Sequence, residues 1–156
     1  IHIKKWEGEM FENWKFWSLI IFFVLGCSNP EFRRLSDADA DVKMKEKSLR
    51  IATSLLELQR KGQFEALGDE ATASMRALLT PEKQKEVYEN LKGMYGDFDS
   101  LEYAESWVPT DGTLLKIYRF KGHFSKSKTM PEIRVVMDGE GKLTGLWIKP
   151  WKAKIQ

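Results

Sequence analysis

The sequence predicts an α+β domain, three N-terminal helices packed on a four-stranded antiparallel sheet. Three observations predict it. Apolar residues between Val42 and Arg60 recur at helical spacing. Thr80-Pro81-Glu82 reads as a helix start, in which Thr caps, Pro fits the first turn and Glu suits the positive end of the dipole. After Asp99 the pattern changes to period two, and Asp-Gly and Gly-Glu-Gly turns punctuate it.

Before that domain comes the one long apolar run, Phe16 to Leu25, which ends at Gly26 and the single cysteine, Cys27. Ten residues suit a signal-peptide core and fall well short of the ~20 that span a bilayer. Met10 is the expected true start, with Ile1–Glu9 upstream of it, so residues 1–26 read as leader. Val24-Leu25-Gly26-Cys27 resembles a bacterial lipobox, with a small residue before the cysteine and an aliphatic one three before it. The resemblance implies a diacylglyceryl group on the Cys27 thiol, then cleavage, acylation of the new N-terminus and attachment to a membrane. Several acyl chains anchor firmly, since each buried methylene contributes about 0.8 kcal/mol. Ser28 after the cysteine, rather than Asp, leans toward the outer membrane or periplasmic face in a Gram-negative source, and otherwise toward the outer face of the cytoplasmic membrane.

Residues 27–37 are polar, contain Pro30 and show no sustained periodicity, so they read as a lipidated tether leading to a domain over 38–156. Ser36 or Asp37 is the expected N-cap of the first helix, whose stripe is Val42, Leu49, Ala52, Leu55 and Leu56, with Gly62 closing it. Phe64 to Leu79 reads as a helical region broken near Gly68, with Leu67, Met75, Leu78 and Leu79 as contacts. Val87, Tyr88, Leu91, Met94 and Tyr95 form the stripe of the helix begun by Thr80, and Gly93 and Gly96 end it. The strands are expected at Leu101–Val108, Leu114–Ser125, Glu132–Asp138 and Lys142–Lys149, with Pro109–Gly112 as a hairpin turn.

Composition narrows the function. The chain of 156 residues carries a net charge of only +2, mixed in sign along its length, so nucleic acid is not an expected partner. One cysteine excludes an internal disulfide or a thiolate metal cluster, and two histidines, His2 and His123, leave little for zinc. No metal and no cofactor are expected. Nucleophile-elbow, metalloprotease and phosphate-loop signatures are absent from the sequence, and Gly139-Glu140-Gly141-Lys142 lacks the spacing of a phosphate cradle.

Leu55–Phe64, the Thr80-Pro81 helix start, Asp138-Gly139-Glu140-Gly141-Lys142-Leu143 and Gly145-Leu146-Trp147-Ile148-Lys149-Pro150 together resemble the small bacterial domain of unknown function called DUF3887. Its order of elements is that of the cystatin-like, nuclear-transport-factor-2-like (NTF2-like) cone. The resemblance implies a curved sheet wrapping the first helix and a pocket at the wide end. Tyr88, Tyr95, Tyr103, Trp107, Tyr118 and Trp147 are candidates to line that pocket, or they fill the core, as aromatics commonly do. Glu105 is the candidate carboxylate, because alternation places it with Tyr103 and Trp107 and puts Glu102 on the other face. His123 reads as a solvated residue of a basic hairpin.

The expected function is a non-enzymatic ligand-binding or protein-interaction module on a membrane-anchored envelope lipoprotein. The alternative is a small-molecule lyase, isomerase or hydrolase using a carboxylate and a Tyr. A homodimer through the sheet is a further expectation, if Leu115, Ile117, Leu146 and Ile148 are exposed together.

Overall fold

A computed structural model describes residues 31–126, 130–153 and 155. The leader, the lipobox and Cys27 lie outside the described residues. In chain order the elements are β1 (Phe32–Arg34), α1 (Val42–Arg60), α2 (Ala73–Leu78), α3 (Pro81–Tyr95), β2 (Phe98–Pro109), β3 (Lys116–Phe124), β4 (Pro131–Met137) and β5 (Leu143–Pro150). The strands form one sheet in the order β1-β2-β3-β4-β5, with every neighbouring pair antiparallel.

The class is α+β, but the sheet has five strands and not the expected four. The additional strand, β1, lies inside the segment read as tether. Its residues Phe32 and Arg34 pair with Pro109 and Trp107. The Leu35 and Thr110 amides extend the pairing by donating to the Ser106 and Glu31 carbonyls at 2.9 and 2.8 Å. Three residues are too few to show a period of two, so the strand is visible only through its partner. β2 runs to twelve residues, and β1 covers the end of what would otherwise be an open edge.

The caps explain where the helices differ from expectation. Asp41, not Ser36 or Asp37, caps α1, its carboxylate accepting from the Met44 amide at 3.0 Å. Ser36 instead closes a turn, its carbonyl accepting from Ala40 and its hydroxyl bonding Asp39 at 2.6 Å. Val42 therefore occupies the first helical position and is exposed. Gly62 has φ of +74° just past α1, and the Gln63 amide reaches back to the Leu58 carbonyl at 2.9 Å. Of the region 64–79 only Ala73–Leu78 is helical, capped by Thr72, and Leu78 faces solvent. Thr80 caps α3 as expected, accepting from the Lys83 amide at 3.3 Å. That helix runs through Gly93 and ends where the Gly96 amide meets the Lys92 carbonyl.

All three helices lie on one face of the sheet. There Phe98, Tyr118, Phe120, Phe124, Ile133, Val135, Met137 and Leu146 meet Ala52, Leu55 and Leu56 of α1, Met75 of α2, and Tyr88 and Leu91 of α3. We call this the helix face. The cross-strand register puts Glu105, Trp107, Ile117, Arg119, Lys121, Glu132, Arg134, Trp147 and Lys149 on the opposite, outer face. Leu114 precedes β3 and is 77% exposed, so it does not join Tyr118, Phe120 and Phe124. Ile117 and Leu146 are both buried within the protomer, on opposite faces, so with Leu115 and Ile148 they form no single exposed patch.

Phe120 is fully buried at the centre of the core. Replacing it with Ala is expected to cost about 3–5 kcal/mol in urea denaturation, against about 1 kcal/mol for Thr80→Ala, which removes only a cap.

Candidate functional site

Alternation along β2 would place Tyr103, Glu105 and Trp107 together, and a bulge prevents it. The register steps from Tyr103 opposite Phe120 to Glu105 opposite Arg119, so two residues of β2 pass against one of β3. The phase of the strand flips at Ala104. Tyr103 stays on the helix face, its ring edge-on to Phe120 at 6.1 Å between centroids and its hydroxyl bonded to Ser106 Oγ at 2.8 Å. Glu105 turns to the outer face, which also receives Glu102, opposite Lys121.

On that face Glu105 enters a chain of buried charges. Its carboxylate accepts from Arg119 Nη1 and lies 3.2 Å from Arg34 Nε. Arg119 Nη2 donates to Glu132 Oε2 at 2.7 Å and to the Lys152 carbonyl. Glu132 Oε1 accepts from Arg134 Nε at 2.6 Å. Arg119 and Glu132 are wholly buried, Glu105 and Arg134 nearly so. Trp151 covers the Arg119 guanidinium at 4.4 Å, a stacked cation–π arrangement that suits a planar cation better than an ammonium. Trp147 lies flat along the same face over Gly145, where any Cβ would run into its ring. Near the other end, Glu102 is shared by His123 at 3.2 Å and Lys121 at 3.6 Å.

The electrostatics follow from burial and pairing. Burial works to raise the Glu132 pKa, but the hydrogen bonds from Arg119 and Arg134 outweigh it and hold the carboxyl below its usual value. Burial likewise opposes the charge on Arg119, and Glu132 and Glu105 more than compensate. Lys149, opposite Glu132, is pulled down first by burial and then by the neighbouring Arg134.

The seven sequence candidates are thus divided between two sides of the sheet. Tyr88 and Tyr118 are buried in the core, and desolvation raises both phenols. The Tyr118 hydroxyl has no hydrogen-bond partner among the described residues. Tyr95 is half-buried against Phe124 at 5.9 Å. Tyr103 completes the helix-side set, with Lys45 Nζ 4.8 Å from its ring. Glu105, Trp107 and Trp147 stand on the outer face. None of the seven lines either of two shallow clefts. One, of about 180 Å³, lies between α1 and the loop before α2, bridged by the Arg50–Glu70 pair at 2.5 Å. The other, of about 520 Å³, opens beside α2 and the β4–β5 turn.

Among the described residues no group of three or more His, Cys, Asp or Glu could hold a metal ion. No described helix is long and apolar enough to cross a membrane. No family model, curated protein or solved structure matches the chain.

Arg34, Arg119, Glu132, Arg134 and Trp151 are the residues that sequence reasoning passed over. A signal existed in Glu132-Ile133-Arg134-Val135, where charges alternate with β-branched residues, as on a strand with one apolar and one charged face.

Glu132→Gln leaves Arg119 and Arg134 without their shared anion, so a loss of about 3–5 kcal/mol is expected in urea denaturation near neutral pH. Because folding lowers the Glu132 pKa, its contribution is complete above the ordinary carboxyl value of 4.5 and is lost as pH falls through the lower folded value. The stability gap between wild type and Glu132→Gln should accordingly narrow as denaturation is repeated from about pH 6 down to about pH 3.

Proposed function

We propose that the chain is an envelope lipoprotein anchored through a lipid on Cys27, and that its α+β domain is a non-enzymatic binding or protein-interaction module. The location rests on the lipobox resemblance at Val24-Leu25-Gly26-Cys27, and Ser28 favours the outer membrane or periplasmic face in a Gram-negative source. The observation that carries the second half is the engagement of Glu105. A carboxylate acting as base needs freedom to take a proton and a donor beside it. Glu105 instead accepts from Arg119 and is flanked by Arg34, while the Tyr103 hydroxyl is spent on Ser106 across the sheet. That arrangement supports a structural carboxylate over the acid–tyrosine pair of an isomerase or lyase.

Replacing Cys27 with Ala is expected to abolish incorporation of labelled fatty acid and to leave the unprocessed precursor, read by autoradiography and intact mass. Equal labelling of the variant would overturn the anchor.

A further inference from the structure

We infer that the outer face of the sheet docks on the anionic lipid headgroups of the membrane that holds the chain. This rests on the lipid-anchor reading and adds a defined orientation to it. The first ground is charge. Among the described residues, register brings Arg34, Arg119, Lys121, Arg134 and Lys149 to this face and Lys152 lies near Lys149, six cations against three carboxylates, Glu102, Glu105 and Glu132. Each carboxylate is already shared by two basic groups. The face is therefore distinctly positive in a chain whose total charge is only +2. Its rim is accessible: the Arg34 side chain is 62% exposed and that of Lys121 33% exposed, and Lys152 is exposed.

The second ground is the tryptophans. Of six in the chain, Trp6, Trp14 and Trp17 precede Cys27, and Trp107, Trp147 and Trp151 all lie on this face, each half-buried. Indole rings interleaved with Lys and Arg match the chemistry of the headgroup layer, where an apolar body and a polar N–H are both accommodated. The third ground is reach. β1 begins five residues after Cys27, and an extended tether of that length spans about 18 Å at most. Arg34 at the end of β1 already belongs to the face. A lipid on Cys27 would thus hold this face near a charged surface, while the helices cover the opposite one. An acidic protein or a nucleic acid would share the charge match but gains nothing from the short tether.

The test uses the full chain, acylated and processed, in vesicles whose acyl chains are brominated near the headgroups. In processed protein the tryptophan emission comes from this face alone. With about 30% phosphatidylglycerol in phosphatidylcholine, emission should be quenched, and about 0.5 M salt should reverse the effect by screening. Pure phosphatidylcholine should quench weakly. Lys121→Gln and Lys152→Gln, at the accessible rim of the face, should each lower the docked-to-undocked ratio about fivefold, the worth of one basic residue at an anionic surface. Equal quenching in both lipids, or no change in the double variant, overturns the proposal. So does a tryptophan shift with polyglutamate or single-stranded DNA that anionic vesicles fail to produce. An intact mass showing unmodified Cys27 overturns the anchor separately. The wild-type and K121Q/K152Q chains then carry the same leader, and the difference between them still decides whether the face binds anionic lipid.

Discussion

Arg119 stands on the central strand with none of its side chain exposed, and a permanent cation in that position has to be compensated inside the protein. Glu105 reaches it from β2, Glu132 from β4, and the Lys152 carbonyl from beyond β5. One side chain therefore ties three strands and the C-terminal segment together. It also sets a register, since sliding β2 or β4 by one residue would send the partner carboxylate into the apolar helix face and leave Arg119 alone. The bulge at Ala104 belongs to the same constraint. Without it, alternation would point Glu105 at the core with Tyr103, and Arg119 would lose one of its two anions.

The two faces of the sheet are consequently held by different physics. The helix face is an aromatic and aliphatic core in which Phe98, Phe120 and Phe124 pack with Tyr88 and Tyr118. Among the described residues no helix lies over the outer face, which is instead built from ion pairs roofed by indoles. An arrangement of that kind contributes less net stability than an apolar layer of the same size, yet it is strongly directional. It also leaves an excess of positive charge with tryptophans among it, which a second apolar core would not.

Much of this organisation was legible in the chain. The three helices, the Thr80 cap, the Gly62 closure and the last four strands follow from periodicity and turn chemistry, because each signal acts over a few neighbouring residues. β1 was not legible: Phe32-Arg33-Arg34 has no pattern of its own and becomes a strand only because β2 offers an edge. The α1 cap is Asp41 and not Ser36 or Asp37, because several Asp and Ser residues compete locally, and Lys116, 75 residues away, pairs with Asp41 at 2.8 Å. The candidate site fared similarly. Glu105 and six aromatics were identified as a set, but one extra residue in β2 sent Glu105 and Trp107 to the outer face, where Trp147 also lies, and Arg119 remained hidden between Tyr118 and Phe120 as one of several basic residues on its strand.

The sequence by itself determined the class, the order of the last seven elements and the expectation of a lipid on Cys27, since these depend on local period, cap chemistry and a four-residue motif. Only the tertiary structure decided the fifth strand, the face on which Glu105 lies, and the partners that neutralise Arg119. Those features depend on cross-strand register, and register is a property of two chain segments at once, which no single segment encodes.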